Sequence, residues 1–209
     1  LEQHHKRLPH EERMRRRRAL GIADDDQVLI NLGRLGGEKN LDELLNLFAE
    51  ARQENKNLKF LIVGDGPARE ELEHRAQKLG IGDYVIFTGM VPPSEVQNYY
   101  QLGDVFVSAS TSETQGLTYI EALASGLPAL CRKDACLTGV IENGVNGWQF
   151  RDGGEFSAHL QEFLDDGTLR ASMAAAAAEN ARRDFSAEGF ARHAAQVYAA
   201  AIEGDSLCQ

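Results

Sequence analysis

Asp104-Val-Phe-Val-Ser-Ala109, Glu113-Thr-Gln-Gly-Leu-Thr-Tyr-Ile-Glu121 and Ala122-Leu-Ala-Ser-Gly-Leu-Pro128 follow one another almost without a break, and their order decides the fold. The first piece is a short apolar run of the kind that forms a strand buried on both faces. Gly116 opens a helix over Leu117 to Ala124, and Pro128 to Cys131 is a second short strand. A strand, a loop, a helix and another strand within thirty residues make a parallel crossover unit.

The same alternation extends towards the N-terminus. Val28–Leu32, Phe60–Val63 and Tyr84–Phe87 are expected strands, each followed within two residues by glycine. Between them, Leu41, Leu44, Leu45, Phe48 and Ala49 keep helical spacing, and helices are expected over about 68–79 and 94–102. Pro9–Leu20 forms a helix stopped by Gly21. Beyond Gly147-Trp-Gln-Phe150 the pattern becomes wholly helical, over 154–166, 168–183 and 186–202, with Ala174–Ala178 a strong helix former. The expected fold class is α/β: a Rossmann-like, doubly wound parallel sheet with a helical C-terminal tail. Residues 1–20 are a basic lead-in helix or linker, 21–150 the sheet domain, and 151–209 a tail packed on that domain. Trp148 is expected between sheet and tail, with stacking on a ligand's base as the alternative.

With 209 residues, 43% of them hydrophobic, the chain can bury an ordinary core. No apolar run reaches the length of a membrane span, and no secretory leader is expected. Cys131, Cys136 and Cys208 are odd in number and badly spaced for zinc, so they read as reduced thiols of a cytoplasmic protein. A net charge of −10 argues against nucleic acid as a partner. The charge is uneven: seven Lys/Arg and three Asp/Glu put +4 on residues 1–20 and leave −14 on the rest. The Arg15–Arg18 run suits either a solvated helix face or linker, or peripheral contact with anionic lipid.

Ligands of open parallel sheets bind outside the carboxyl ends of the strands. Four such ends carry unusual chemistry here. The first is Gly33-Arg-Leu-Gly-Gly-Glu-Lys39-Asn40, with two cations five residues apart on a glycine-rich loop. The others are Gly64-Asp-Gly-Pro67, Thr88-Gly-Met90-Val91-Pro-Pro93, and Ser108–Thr111 leading to Glu113. Any one of them reads equally well as a turn or a solvated loop; together they define one edge. The N-terminus of the 117–124 helix offers backbone N–H groups to an anion, flanked by Glu113 before it and Glu121 inside it. A ligand with phosphates in the middle and hydroxyls at both ends, such as a sugar nucleotide, suits that layout.

These pieces also resemble a known family. Gly33-Arg34-Leu35 with Glu38-Lys39-Asn40, Val63-Gly-Asp-Gly-Pro67, Val85-Ile-Phe-Thr-Gly89, the Glu113/Glu121 pair and Gly144-Val-Asn-Gly147 occur in the order of retaining glycosyltransferases of the GT-B type, family 4 group. The resemblance covers about residues 12–200 and is to the C-terminal half, the one that holds the nucleotide-sugar donor. Cys131–Gly144 is similar to bacterial enzymes that glucosylate lipids, and departs from the glycine-rich turn common in the family.

The resemblance implies a set of roles. Arg34 and Lys39 would stabilise the leaving diphosphate, and Glu113 would contact the transferred sugar, making these three the expected catalytic residues. Glu121 would accept hydrogen bonds from the ribose. Main chain of Gly116, Leu117 and Thr118 would meet phosphate or sugar, and main chain around Met90 and Val91 would face the base, with Gly33 and Gly64 lining the site. The donor is expected to be a nucleoside-diphosphate sugar, UDP-linked from family frequency, transferring a hexosyl group to a lipid or cell-surface glycan. No cofactor and no metal are expected, because two cations and a helix N-terminus can neutralise the diphosphate. The family's N-terminal acceptor-binding domain has no counterpart in this sequence.

Three rivals are weaker. A glycosidase pair of Glu113 and Glu121 gives Arg34 and Lys39 no purpose. A dinucleotide oxidoreductase needs Gly-x-Gly-x-x-Gly after the first strand, where Gly33-Arg-Leu-Gly-Gly37 stands. A non-catalytic nucleotide-binding or regulatory module is disfavoured by the presence of both glutamates.

Overall fold

A six-stranded, all-parallel sheet organises the computed structural model, which describes residues 4, 6–110, 116–189, 191, 192, 194, 195 and 198. The elements run α1 (His10–Ala19), β1 (Gln27–Leu32), α2 (Leu41–Glu54), β2 (Leu58–Val63), α3 (Arg69–Lys78), β3 (Val85–Phe87), α4 (Val96–Tyr100), β4 (Val105–Ser108), α5 (Leu117–Ala124), β5 (Ala129–Arg132), β6 (Gly147–Phe150), α6 (Gly153–Asp165) and α7 (Gly167–Asp184). Strand order is β3-β2-β1-β4-β5-β6, the doubly wound arrangement with its switch point between β1 and β4.

Period-two alternation explains why each strand is a continuous apolar run. Leu29, Phe60, Ile62, Val105, Val107 and Leu130 face one core, with α2, α3 and α6. Val28, Ile30, Leu61, Val63, Phe106 and Cys131 face the other, with α5 and α7. Both faces are covered, so no position inside β2 past Lys59 tolerates exposure.

The sequence leads one to expect five strands; the structure adds β6, hydrogen-bonded to β5 from Ala129↔Gly147 to Arg132↔Phe150. It has only four residues, begins with glycine and contains no continuous apolar run, so its shortness hides it. The glycine is required by packing: a Cβ at position 147 would lie 2.1 Å from the Ala129 carbonyl oxygen.

The tail packs on the sheet as expected. Trp148 stacks on His159 at 5.3 Å and meets Phe163 edge-on at 6.5 Å. Asp152 and Asp166 cap α6 and α7 through the amides of Glu155 and of Thr168 and Leu169. Ala177 and Ala181 let α7 lie close to the second core. Of the third expected tail helix, residues 187–189 are helical and most of the remainder falls outside the described residues.

Helix α1 docks at the amino edge of the sheet. The Arg17 side chain is 3% exposed and reaches Asp104 at 3.3 Å; Arg13 meets the same carboxylate at 2.7 Å. Asp104 also accepts from the Val28 amide at 2.8 Å, pinning the starts of β1 and β4. Arg15, Arg16 and Arg18 pair with Glu12, with Glu12 and Glu95, and with Asp24. The basic run is therefore engaged by carboxylates of its own chain.

Two consequences are measurable. Asp104→Ala strands the buried Arg17 guanidinium and should cost about 2–4 kcal/mol, read as a lower urea midpoint at unchanged slope. Gly64 has φ +131°, and a Cβ there would sit 1.9 Å from the Gly33 carbonyl oxygen. Gly64→Ala should destabilise by about 3 kcal/mol, whereas Gly80→Ala, strained in φ but with no atom within 4 Å, should cost about 1–2 kcal/mol.

Candidate functional site at the carboxyl edge of the sheet

Parallel strands deliver all their carboxyl ends to one edge, and main-chain hydrogen bonds lock the loops there together. The Gly33 amide donates to Val63 O (3.0 Å), Leu35 to Asp65 O (3.0 Å), Ala68 to Leu35 O (3.1 Å) and Gly64 to Gly89 O (3.1 Å). These bonds place the loops after β1, β2 and β3 side by side. Ser110 Oγ donates to Glu38 O at 3.3 Å, tying the β4 exit to the β1 loop across the switch point. The Asp65 carboxylate closes its own turn by accepting from Gly66 N (2.7 Å) and Arg69 (2.9 Å), which hold its pKa below the usual carboxylate range.

Arg34 and Lys39 lie on the β1 loop as expected. Arg34 is exposed and its guanidinium meets Glu38 at 2.6 Å. Glu38 is held acidic chiefly by a backbone N–H, with Arg34 and Lys39 adding to the effect. Lys39 is half-buried beside Asn40, a non-glycine residue at φ +49° that starts α2. The loop thus carries two cations, with the Glu38 carboxylate set against Arg34.

Helix α5 follows Gly116, whose φ of +60° turns the chain into the helix; among the described residues no side chain caps it. Its first turn is fixed from beneath by the Tyr119 hydroxyl, 2.8 Å from Ser108 Oγ at the end of β4. The amides of Gly116, Leu117 and Thr118 therefore sit over the β4 exit, at the positive end of the helix. Leu117 is 58% exposed and Met90 83% exposed, two large apolar side chains at the same edge, while Val91 packs against the second core.

Glu121 is half-buried one turn inside α5 and accepts from Tyr100 Oη at 3.0 Å on Oε2. Gly33, Arg34, Lys39, Gly64, Met90, Val91, Gly116, Leu117, Thr118 and Glu121 thus fall where the strands end or on the helix that follows β4. Glu113 lies outside the described residues. Among the described residues no cluster of His, Cys, Asp or Glu could hold a metal ion, and no helix is long and apolar enough to cross a membrane.

Sequence reading placed Ser108 and Ser110 at a strand end but missed the supports Tyr100, Tyr119 and Asn31, whose amide donates to Val107 O at 2.8 Å between β1 and β4. Each looks like ordinary core until its polar atom is followed. Two cavities, of about 570 Å³ beside Arg52 and Tyr84 and about 400 Å³ beside Gly103 and Leu127, open towards strand starts and contain none of the ten residues.

Comparison with known proteins agrees with this geometry. The model of the family described as "Glycosyl transferases group 1" matches residues 12–183. An alpha-monoglucosyldiacylglycerol synthase of Streptococcus pneumoniae is 46% identical over 131 residues, 63% of this chain and 30% of that protein. Anabaena Alr3699/HepE, crystallised in complex with UDP, superposes with a TM-score of 0.82 at 22% identity over 94% of this chain and 54% of its own. The C-terminal domain of a group 1 family protein (LpcC) from Francisella tularensis superposes with a TM-score of 0.74 at 21% identity, over 86% of this chain and 96% of its own. The chain spans less than a third of the lipid synthase and about half of HepE. On the family match and the GT-B-like sheet, the chain belongs to the glycosyl transferases of group 1.

Proposed function

We propose that this chain is the donor-binding, C-terminal domain of a retaining glycosyltransferase, holding a nucleoside-diphosphate hexose for transfer to an acceptor bound by a second domain. The observation that carries the reading is the hydrogen-bonded convergence, at the β1/β4 switch point, of a two-cation loop, the N-terminus of α5 and a half-buried carboxylate. Diphosphate departure needs positive charge, supplied by Arg34, Lys39 and the α5 amides without a metal. Ribose recognition needs a fixed acceptor, supplied by Glu121. Glu113 would meet the transferred sugar.

UDP is the first donor nucleotide to test, since HepE and other structural neighbours were crystallised with it. The lipid synthase relative supports a lipid acceptor, with a cell-surface glycan second; a cytoplasmic site of action is proposed from the odd cysteine set of the sequence. The chain spans 30% of the lipid synthase and 54% of HepE, which leaves room in proteins of that length for a second, acceptor-binding domain.

Calorimetric titration with UDP, GDP and ADP tests the reading. One diphosphate, expected to be UDP, should bind well ahead of its bare nucleoside. Glu121→Ala and Arg34→Ala should each weaken it by about tenfold or more. Addition of EDTA should change nothing. Equal binding of nucleoside and diphosphate, or indifference to both substitutions, would overturn the donor assignment.

A further inference from the structure

Tyr100 is a buried tyrosine whose hydroxyl has a polar task on the site side of the second core. It is fully buried at the C-terminal end of α4, its ring packed on Phe106 (6.1 Å between centroids) and edge-on to His4 (5.8 Å). The hydroxyl lies 3.0 Å from Glu121 Oε2 and 3.3 Å from the Thr118 carbonyl oxygen. Oε1 of Glu121 has no partner among the described residues.

A glutamate side chain on a helix surface explores several rotamers, and ordering it on binding costs free energy. A hydroxyl carried on a buried ring removes that freedom beforehand, because the ring itself cannot move. It also occupies one carboxylate oxygen and leaves the other to receive a ligand. Helix α4 is in turn held in place. Gln101 accepts from the Leu8 amide (2.7 Å) and donates to Lys6 O (2.8 Å), so the segment before α1 clamps the helix end that carries Tyr100.

We propose that Tyr100 is a positioning residue for ribose recognition: it presents Glu121 Oε1 to the ribose hydroxyls and so sets the preference for ribonucleotide over deoxyribonucleotide donors. This rests on the donor-site reading above.

The test is titration of the chain and its Tyr100→Phe, Glu121→Ala and double variants with UDP and with 2′,3′-dideoxy-UDP. Phenylalanine keeps the ring and deletes only the hydroxyl. Tyr100→Phe should weaken UDP about 3–10-fold and leave the dideoxy ligand within about twofold. On the Glu121→Ala background the same change should have no further effect. Equal loss for both ligands would make Tyr100 merely structural, and unchanged UDP affinity would show that Glu121 needs no positioning; either overturns the proposal. If Glu121→Ala itself fails to weaken UDP more than the dideoxy ligand, the donor-site assignment of Glu121 fails instead. Should Tyr100→Phe fold poorly, Gln101→Ala provides the second route, since loosening the α4 end should reduce the same ligand preference. A preference unchanged in Gln101→Ala would then contradict the proposal.

Discussion

The Gly33–Gly64 contact is the constraint from which the site follows. A side chain at 64 would lie within 1.9 Å of the Gly33 carbonyl oxygen, so the β1 and β2 exits touch backbone to backbone. That approach permits the Leu35–Asp65 and Ala68–Leu35 bonds, and Gly64–Gly89 extends the seam to β3. The loops that carry Arg34, Asp65 and Met90 are consequently one hydrogen-bonded surface. Parallel pairing supplies the edge, and the two glycines make the edge rigid.

Support for the polar site comes from aromatic hydroxyls buried beneath it. Tyr119 anchors the first turn of α5 to Ser108, and Tyr100 holds Glu121. Both rings lie in the second core with Phe106 between them, 5.5 Å from Tyr119 and 6.1 Å from Tyr100. Core packing on that face therefore sets the geometry of α5, and with it the placement of the amides at its N-terminus. At the opposite edge, Asp104 ties α1 to the starts of β1 and β4.

Much of this was legible in the sequence. The apolar runs at Val28–Leu32, Phe60–Val63 and Val105–Val107, each closed by a polar or glycine-bearing turn, gave the parallel sheet because only strands buried on both faces look that way. The glycines and cations at the strand ends gave the candidate edge because topology puts every such end on one side of the sheet. What escaped notice had no local signal. Strand β6 has only four residues and is held by β5 and Trp148. The Arg13–Arg17 clasp reads as a charge run until Asp104, far along the chain, is brought beside it. Tyr100 reads as a core aromatic, and only its distance to Glu121 carries the positioning role proposed for it.

The central claim is that a nucleoside diphosphate binds across the β1/β4 switch point on this chain. Backbone amide NMR shift mapping during titration with UDP tests it directly. The account predicts changes concentrated at 33–40, 64–66, 89–91 and 116–121, with the strand starts near Gln27, Asp104 and Leu127 unchanged. Shifts confined to those strand starts, or to the cavity beside Arg52 and Tyr84, would contradict it.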